Sequence, residues 1–449
     1  MRLVPLSEAV VVNPKVDRTL LDDDTLVSFV PMAAVGAADG SVDASTVRPY
    51  AEVKKGYTHF RNNDVLFAKV TPCMENGKMA VARKLHNGMG FGSTEFHVLR
   101  PRDGVDPHYV YHFVSSQTFR KEAARHMTGA VGLRRVPSAF LASAEIPLPS
   151  LAVQREIVAE LEKQFSRLDD AVANLQRVKA NLKRYKASIL KAAVEGRLVE
   201  TEASLARREG RTYETGEQLL QRILEARRVK SKGSSMLGVA PPLGEMPSIP
   251  EGWVWTSLGQ CFRVAVGATP SRKEATYWNG DVPWVSSGEV KLGRIRHTEE
   301  HISAAGLANS STRINPAGSV MIGMIGQGRT RGQAAILDID AANNQNCAAI
   351  WVSHTDVPPE FVFNWLLSRY TETRSEGSGN NQQALNKRLV EQIPLPLPPL
   401  AEQVRIVVEV DRHLSIIREV EAEVDANHQR AQALRQSILQ RSFATGRHD

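Results

Sequence analysis

One stretch of this chain occurs twice, and no other feature of the sequence constrains its architecture as strongly. AEIPLPSLAVQREIV begins at Ala144, and EQIPLPLPPLAEQVRIV begins at Glu391. The segment Leu151–Val194 aligns without a gap on Leu400–Phe443, at a constant offset of 249 residues. An internal repeat of this size indicates that the chain is built from two similar halves.

Both copies have the apolar period of a helix. Apolar residues recur every three or four positions, and charged or polar residues fill most places between them. The IPLP prolines precede each copy, and Gly196 and Gly446 follow, so helix breakers bound both. The stripe from Ile157 to Ile189 predicts a helix about 50 Å long, at 1.5 Å per residue. A narrow stripe on so long a helix is typical of a coiled coil, and a helix lying on an ordinary core is the alternative.

The two helices are the natural partners for each other. A chain that returns through a globular segment lays them antiparallel, so we expect an antiparallel coiled coil. Glu421 and Asn427 interrupt the second stripe, and Asn427 either fixes the register at a cost in stability or lies in a frayed stretch. The predicted seam consists of Ile157, Leu161, Leu168, Leu175, Leu182, Ile189, Ile406, Val410, Leu414, Ile417, Val424, Leu434 and Ile438.

The globular segments before the two copies share one order of features. A strand-rich run comes first, then a strand-like EFHVLR or CAAIWV, a helical stretch, and a glycine-containing loop that leads into IPLP. We therefore predict an α+β protein with two similar mixed α/β domains separated by the two long helices. The predicted divisions are a globular domain at 1–145, a long helix at 146–198, a linker with a short helix at 199–249, a second globular domain at 250–392 and a second long helix at 393–449.

Composition narrows the class of protein. The net charge of +7 favours a polyanionic partner, although only weakly. Cys73, Cys261 and Cys347 stand far apart and match neither a disulfide framework nor metal-ligand spacing, which favours a reducing compartment. The N-terminus lacks the apolar core of a signal peptide, and no apolar run is long enough to cross a membrane. We expect a cytoplasmic protein without a membrane partner.

Catalytic motifs are missing from the sequence. There is no GxxxxGK[ST] phosphate loop, no HExxH or CxxC metal pattern and no GxSxG nucleophile elbow. GMIGQGRTRG is rich in glycine but lacks the phosphate-loop Lys-Ser/Thr pair, so we interpret it as a tight turn between strands. NPKV at Asn13 and NPAG at Asn315 lack the second proline and aromatic residue of an amino-methyltransferase site. These absences favour a binding protein that holds no metal.

The polar loops carry side chains of the types that read base edges. Arginine donates two hydrogen bonds to guanine, and asparagine and glutamine pair with adenine in the major groove. Polar turn residues on a wet surface are the alternative, but their recurrence at matching places favours DNA recognition. The candidate DNA-binding residues are Lys69, Thr71, Asn76, Lys78, Arg134 and Arg135 in the first segment, and Gln327, Arg329, Thr330, Arg331, Asn344, Gln345, Asn380, Asn381, Gln382, Gln383 and Lys387 in the second.

With these features the chain resembles the specificity subunit of type I restriction–modification systems. The resemblance rests on IPLP followed by L-A-x-Q and a long helix, present twice, and on the second-segment opening IPEGWVWTSLGQ. DVLFAKV and GSTEFHVLRP are also similar to parts of that family's target-recognition domains. Residues 1–10, MRLVPLSEAV, depart from the pattern because they lack a tryptophan-containing opening.

The resemblance implies a division of labour. Each globular domain would read one half of a split site in double-stranded DNA, and the helices would separate the halves and dock two modification subunits. S-adenosylmethionine would belong to the modification subunits, and ATP and magnesium to restriction subunits, so this chain would carry no cofactor and catalyse nothing. The alternatives are a part of a self-contained methylating restriction enzyme and a coiled-coil scaffold without DNA function. The recognition sequence does not follow from loop side chains alone.

Overall fold

The structure, a computed structural model, describes residues 2–15, 21–130, 132–230, 246–326, 330–375 and 384–444. It divides into two units. The first combines Met1–Arg177 with Glu423–Asp449, and the second is Val178–Ala422. Each unit therefore contains one globular part of the chain and a portion of both repeated segments.

The first unit contains two four-stranded sheets and one separate strand pair. Its strands are β1 (Leu3–Pro5), β2 (Val10–Val12), β3 (Leu26–Val30), β4 (Val47–Pro49), β5 (Thr58–Arg61), β6 (Val65–Ala68), β7 (Met79–Val81), β8 (Met89–Gly92), β9 (Phe96–Pro101) and β10 (Glu145–Pro147). The sheet orders are β2-β9-β6-β7 and β4-β3-β8-β5, and β1 pairs with β10. All neighbours are antiparallel except β3 and β8, which run parallel.

Helices cover one face of the first of these sheets. The helices of this part of the chain are α1 (Leu6–Ala9), α2 (Tyr50–Val53), α3 (Pro107–Ser115), α4 (Gln117–Arg125), α5 (Ser138–Ser143) and the long α6 (Leu151–Val194). Side chains on a strand alternate between its two faces, and β6 uses both. Val65 and Phe67 pack in one cluster with Tyr109 of α3, whereas Leu66 packs in another with Phe60 of β5. The central strand is thus buried on both sides.

The second unit follows the same plan. Its strands are β11 (Val254–Ser257), β12 (Arg263–Val266), β13 (Trp278–Val285), β14 (Gly293–Ile295), β15 (Glu300–Ile302), β16 (Val320–Gly323), β17 (Ala334–Leu337), β18 (Ala342–Asn343), β19 (Cys347–Trp351) and β20 (Pro394–Leu397). Its helices, including a last one that ends in the first unit, are α7 (Glu202–Glu209), α8 (Gly216–Lys230), α9 (Leu258–Cys261), α10 (Ala304–Ala308), α11 (Pro359–Ser368), α12 (Tyr370–Ser375), α13 (Lys387–Gln392) and α14 (Leu400–Ser442).

The strand orders confirm that the two halves are copies of one fold. The orders β12-β19-β16-β17 and β15-β13-β18 repeat β2-β9-β6-β7 and β4-β3-β8, with β14 added at one edge and the pair β11-β20 repeating β1-β10. The parallel pair recurs as β13 and β18. Alternation recurs as well, because Val320 and Ile322 of β16 pack in one cluster and Met321 packs in another. The mixed α/β character expected of each globular part is confirmed.

The repeated IPLP–LAxQ stretch forms a strand, a turn and the start of a long helix. In the first copy, the buried Gln154 side chain donates from Nε2 to the carbonyl of Pro149 at 2.9 Å. In the second copy, Gln403 Nε2 donates to the carbonyl of Pro398 at 2.8 Å. Each glutamine therefore satisfies a carbonyl of the turn that its own helix follows, which explains its place in both copies.

The two long helices run antiparallel within each unit. In the first unit, Leu161 and Phe165 of α6 cluster with Leu439 of α14, and Arg435 pairs with Asp169 at 2.6 Å, so numbers rise on α6 as they fall on α14. In the second unit, the Tyr185 hydroxyl lies 3.0 Å from His413 Nδ1. Asn427 donates to Glu423 of its own helix at 3.1 Å, so this bond does not cross to α6.

The predicted seam is largely the buried side of these helices, with one exception. Leu161, Ile189, Ile406, Val410, Ile417 and Val424 are buried, and Ile157, Leu168, Leu175, Leu182, Leu414 and Ile438 are half-buried. Leu434 is 50% exposed, so its assignment to the seam was wrong, and the neighbouring Leu439 is buried instead. A straight helix drifts relative to a 3.5-residue repeat, which moves Leu434 off the contact line near the end of α14.

The stretch expected to be a linker contains two helices that pack into the second unit. Leu219 and Ile223 of α8 are buried in the main hydrophobic cluster of that unit. A Cβ on Gly216 would lie 2.1 Å from the carbonyl oxygen of Leu397, so α8 begins in direct contact with β20. Residues 199–230 therefore belong to the fold, whereas residues 231–245 of the expected linker lie outside the described residues.

Truncating Leu161 should destabilise the first unit strongly. Leu161→Ala removes a buried side chain from its contact with Phe165 and Leu439, and large-to-small changes of this kind cost about 2–5 kcal/mol. Leu434→Ala is the matched control, and because that side chain is half exposed we expect a change within about 0.5 kcal/mol. Chemical unfolding monitored by circular dichroism measures both. Equal losses for the two variants would contradict the antiparallel packing described above.

Candidate nucleic-acid interface

Two segments of the first unit come together to form a loop pair. The chain leaves β6 through residues 69–78, and residues 128–136 return beside it. The Val136 amide donates to the carbonyl of Lys69, and the Thr71 amide donates to the carbonyl of Arg134, both at 2.9 Å. This backbone ladder brings the exposed Arg134 and Arg135 beside the half-buried Lys69 and Thr71, and we call this region the first loop pair.

Two carboxylates hold the arginines of the first loop pair. Arg135 donates from Nε and Nη2 to the two carboxylate oxygens of Glu95, each at 2.8 Å. Arg134 lies 3.7 Å from Glu75. The hydrogen bonds from Arg135 lower the pKa of Glu95, so the pair is charged at neutral pH. Both arginines stay exposed, and a bidentate partner fixes the plane in which Arg135 presents its guanidinium.

The remaining first-segment candidates differ in whether other groups of the protein already hold their side chains. Asn76 is exposed on a turn whose backbone is closed by its own amide, which donates to the Pro72 carbonyl at 2.9 Å. Lys78 donates from Nζ to the carbonyl of Met32 at 3.1 Å, so its charge is held against the loop after β3. The Thr71 hydroxyl lies 3.7 Å from the sulfur of Met127. Asn76 is therefore the freest of these three side chains.

A buried histidine supports the first loop pair from below. His97 of β9 donates from Nε2 to the carbonyl of Val136 at 2.8 Å, and its Nδ1 accepts from Asn13 at 2.9 Å. Burial lowers the pKa of His97, which keeps the ring neutral and suits one donating and one accepting nitrogen. Sequence reasoning missed both His97 and Glu95. Both lie in the quoted GSTEFHVLRP stretch, Glu95 in the turn before β9 and His97 on β9, but the pattern does not show what they contact.

The second unit builds the same backbone arrangement. The Met324 amide donates to the carbonyl of Asn346 at 2.8 Å, and the Leu385 amide donates to the carbonyl of Met324 at 2.9 Å. In the first unit the Lys69 amide donates to the carbonyl of Glu95 in the same way, at 2.9 Å. We call the segments that contain Met324, Asn346 and Leu385 the second loop pair. Met324 belongs to the glycine-rich GMIGQGRTRG stretch, and Asn346 belongs to the Asn-rich stretch 343–346.

Six candidates of the second segment cannot be placed. Gln327 and Arg329 fall in residues 327–329, and the other four fall in 376–383; both stretches lie outside the described residues. These other four are Asn380, Asn381, Gln382 and Gln383. Their described neighbours, Gly326, Thr330 and Leu385, belong to the second loop pair or adjoin it. Assignment of these six residues to DNA binding stays a prediction.

Two second-segment candidates are buried rather than presented to solvent. Arg331 is 8% exposed, and its guanidinium donates to the carbonyl of Arg374 in α12. Asn344 is 7% exposed, and its Oδ1 accepts from the Asn346 amide at 3.0 Å and lies 3.3 Å from the sulfur of Cys347. Both side chains hold loop backbone in place. Local polar groups already use these side chains, and their assignment to DNA binding stays a prediction.

The last three second-segment candidates are accessible to differing degrees. Gln345 is exposed, and its Oε1 accepts from the hydroxyl of Thr269 at 2.6 Å. Lys387 is exposed on the first turn of α13 and lies 3.5 Å from Glu391, one helical turn away. Thr330 is half-buried, and its carbonyl accepts from the Gln333 amide at 3.0 Å. Gln345 and Lys387 therefore offer polar groups at the surface of the second unit.

A different exposed surface runs along α14 in the second unit. Val404, Val408, Ile416 and Val420 are 37% to 61% exposed, although each is apolar. They are spaced by multiples of four residues, so they form one ridge that winds slowly around the helix. We call this the outer ridge. The sequence pattern did not reveal this ridge, because the stronger apolar stripe of the same helix is the buried one.

Among the described residues, no three His, Cys, Asp or Glu side chains are grouped so that they could hold a metal ion. In the same part of the chain, no helix has both the length and the apolar character needed to cross a membrane.

Comparison with known families identifies the class. The family described as "Type I restriction modification DNA specificity domain" matches residues 13–184 and 250–426, once in each half of the chain. These two matches cover well over half of the sequence. The chain therefore belongs to the family of type I restriction–modification DNA specificity proteins, as its repeated segments indicated.

Relatives match nearly the full chain. The specificity subunit of the type I restriction enzyme EcoAI from Escherichia coli is 27% identical over 89% of this chain and 75% of its own length. That of EcoEI, also from Escherichia coli, is 23% identical over 95% of this chain and 80% of its own.

Solved structures share the fold. A chain from a structure of the assembly and conformational transition of the type I R-M system superposes with a TM-score of 0.74, at 18% identity, over 99% of this chain and 97% of that one. The HsdS subunit from Thermoanaerobacter tengcongensis gives a TM-score of 0.56, also at 18% identity, over 98% of this chain and 96% of that one. The arrangement of two mixed domains and two long helices is thus a known fold.

Replacing Asn344 should destabilise the second unit, whereas replacing its neighbour should not. Asn344→Ala leaves the partly buried Asn346 amide without its acceptor, and we expect a loss of about 1 kcal/mol or more. Gln345→Ala is the matched control, since that side chain is exposed and we expect a change within about 0.5 kcal/mol. Denaturant unfolding measures both. An Asn344→Ala variant as stable as the parent would show that the Asn344 side chain is not needed to hold the loop, and Asn344 would again be a candidate for DNA reading.

Proposed function

We propose that this chain is the DNA-reading subunit of a type I restriction–modification complex and that each globular part reads one half of a bipartite site in double-stranded DNA. The observation that carries the proposal is the loop pair built twice, on the same strand order, in a chain of this family. A duplicated reader suits a divided site, because each copy addresses one half. Recognition would rest on side chains of the two loop pairs.

The reading residues are those that the structure leaves accessible. In the first loop pair these are Arg134, Arg135 and Asn76, with Lys69 beside them. Arg135 is the strongest candidate for base reading, because its guanidinium is already oriented and guanine offers two acceptors in one plane. In the second unit we assign Gln345, Lys387 and the six residues of 327–329 and 376–383 named above. Arg331 and Asn344 are left out because they are buried.

Partner subunits would supply the chemistry. The proposed partners are two modification subunits, which would bind S-adenosylmethionine, and restriction subunits, which would use ATP and magnesium. Relatives of this chain bear the names of subunits of type I restriction enzymes, which supports such an assembly. This chain would itself catalyse nothing and hold no cofactor. It would work in the cytoplasm, where the DNA and these partners are.

The outer ridge is our candidate for docking a modification subunit. Isolated exposed apolar residues are common, but four in one line on a helix are typical of a helix-binding surface. The buried side of α14 is already used within the protein, so this ridge is the side of the helix on which a partner would add buried apolar area. Burial of such a ridge gives affinity mostly through one or two central residues.

Removing the Arg135 guanidinium should relax recognition at one half-site only. Arg135→Ala in the assembled complex should lose about 1–3 kcal/mol of discrimination at the half-site read by the first unit, the value of one bidentate base contact. Discrimination at the other half-site should stay unchanged, because Arg135 belongs to the first unit alone. Binding to DNA duplexes with substitutions in either half measures both.

A charge-matched control separates base reading from general attraction. Arg155→Ala removes the same charge from the exposed surface of α6, and we expect it to leave discrimination unchanged. If Arg135→Ala weakened binding to all sequences equally, the residue would contact phosphate instead. If both half-sites relaxed together, the two units would not read independently. Methyl transfer by the isolated chain would favour a self-contained enzyme, and an assembled complex without sequence preference would favour a scaffold.

A charge placed on the outer ridge should block assembly with the modification subunit. Val408→Glu puts a carboxylate on the most exposed ridge residue, at 61% exposure, and burying an unpaired charge in an interface costs at least about 2 kcal/mol at a central position. We expect co-purification with the modification subunit to be lost while thermal unfolding stays the same. Val229→Glu is the matched control, an equally drastic change on an exposed valine of α8. Loss of assembly in both variants, or in neither, would contradict docking on this ridge.

A further inference from the structure

A cleft of about 780 Å³ lies in the first unit, and none of its lining residues belongs to the first loop pair. The loop before β4, the end of β7, one face of α3 and one face of α6 surround it, and Arg435 of α14 closes part of one side. The proposed DNA reading makes no use of this cleft. Its chemistry differs from that of the loop pairs and points to another kind of ligand.

Aromatic rings line the inner part of the cleft. The rings of Tyr111 and His112 have centroids 5.0 Å apart, and those of His112 and Phe165 are 5.6 Å apart. Gly40 packs directly on this group, because a Cβ at Gly40 would lie 2.5 Å from the hydroxyl of Tyr111. The loop that carries Gly40 is therefore held against the rings. All three rings line the cleft, and aromatic rings attract a planar cation.

A guanidinium group already uses one end of this surface. The guanidinium of Arg435 lies 4.3 Å from the centroid of the Phe165 ring and pairs with Asp169 at 2.6 Å. Arginine suits such a place because its planar head stacks on aromatic rings and donates to carboxylates at the same time. The protein thus shows, with its own residue, which chemistry the cleft accepts.

Carboxylates outnumber cations around the cleft. Arg435 is paired with Asp169, so the charge of that carboxylate is already neutralised. Arg83 lies 2.6 Å from His108 Nδ1 and, among the described residues, is not paired with a carboxylate there. The five lining carboxylates are those of Asp39, Asp43, Glu162, Asp169 and Asp170, against the three cations Arg83, Lys84 and Arg435. This excess of negative charge disfavours DNA phosphate and favours a cationic ligand.

One buried polar atom in the cleft has no partner. His112 is 5% exposed, and its Nε2 makes no hydrogen bond within the part of the chain that the structure describes. Burial lowers the pKa of His112 to about 3, so the ring is neutral, and Nε2 accepts a hydrogen bond in the tautomer that carries the proton on Nδ1. A buried nitrogen left in this state costs free energy that an N–H donor from a ligand would recover.

The carboxylates are too widely spread for a single small cation. Glu162 and Asp170 are eight positions apart on α6, which corresponds to about 12 Å along the helix at 1.5 Å per residue. Asp39 and Asp43 face them from the loop before β4. One ammonium or guanidinium group reaches only a part of such an array. An extended segment with more than one basic side chain would reach the rest.

We propose that this cleft binds a basic segment of a partner protein, with one arginine guanidinium stacked on the aromatic rings and donating to His112 Nε2. Further basic side chains of the segment would pair with the carboxylates on α6 and on the loop before β4. The site is separate from the loop pairs, so its occupation does not depend on DNA recognition. All the lining residues belong to the first unit, so this contact would belong to that unit.

Titration of the full chain with short peptides tests the proposal. The probe is acetyl-Arg-Gly-Arg-amide, and the matched control peptide carries citrulline at both positions, which keeps the planar shape of the head group but replaces the charged guanidinium by a neutral urea. Calorimetry at low ionic strength should show binding of the arginine peptide that is at least about tenfold tighter than that of the citrulline peptide, as expected for a desolvated cation on aromatic rings. Equal affinity, or no binding of either peptide, would overturn the proposal.

Three variants of the chain locate the binding. Asp43→Asn combined with Asp170→Asn removes two exposed cleft charges, and His112→Phe keeps the ring but removes the accepting nitrogen, so both should weaken binding of the arginine peptide. Glu156→Gln removes one charge from the same helix outside the cleft and should leave binding unchanged. Near-ultraviolet circular dichroism confirms that each variant keeps its fold, and the exposed aspartates make the double variant safe in this respect.

Two further results would overturn the assignment. If Glu156→Gln weakened binding as much as the cleft variants, the peptide would respond only to overall charge. If spermidine bound tightly in the cleft and displaced the arginine peptide when both were present at the same concentration of positive charge, the ligand would be a free polyamine rather than a protein segment. Loss of DNA recognition in Arg135→Ala has no bearing on either result, so the two proposals fail separately.

Discussion

A buried glutamine at the start of each long helix decides how the helix leaves its globular domain. Gln154 donates to the carbonyls of Pro149 and Gly104, and its Oε1 accepts from the Asp106 amide at 2.9 Å. Asp106 is also the N-cap of α3. A buried amide without partners costs about 1–3 kcal/mol, so only a chain path that brings these groups together is stable. The turn into α6, the start of α3 and the strand pair β1-β10 are thereby fixed as one unit, and the direction of the long helix follows.

The second copy achieves the same result with different residues, which shows how duplicated halves diverge. Gln403 keeps its bond to the turn, but its Oε1 finds no donor within the described residues, and α11 begins at a proline without a side-chain cap. The buried Glu402 makes the connecting hydrogen bonds instead, because its carboxylate accepts from the Glu202 amide at 2.8 Å and from the indole of Trp253 at 2.9 Å. Burial is the main reason that the pKa of Glu402 is raised. This tie joins α7 to α14, and it explains why the stretch expected to be a linker is part of the fold.

Periodic features could be predicted from the sequence, and pairwise ones could not. The three-to-four stripe predicted both long helices because one face of a long helix has to find apolar contacts, and that requirement is visible in a single segment. The polar composition of the loops predicts that they read DNA, and that assignment stays a prediction. The burial of Arg331 depends on a carbonyl at Arg374, and the orientation of Arg135 depends on Glu95, far away in sequence. A polar residue in a loop serves the fold or a ligand according to such partners, and composition does not distinguish the two.

The carboxylate beside Arg135 sets the terms on which a ligand is recognised. Glu95 accepts from Nε and Nη2 of the guanidinium at 2.8 Å each, and the Leu133 carbonyl accepts from Nη1 at 3.2 Å. A ligand that binds the edge facing Glu95 therefore has to replace two charge-assisted hydrogen bonds. A single phosphate oxygen replaces them poorly, whereas the O6 and N7 atoms of guanine present two acceptors with matching geometry. Competition of this kind weakens binding to all DNA, but it weakens binding to the wrong sequence most, which is how specificity arises from a difference of affinities. The neutral His97 adds to this by fixing the Val136 carbonyl beneath the loop, so the arginine cannot follow a badly placed ligand without breaking buried hydrogen bonds.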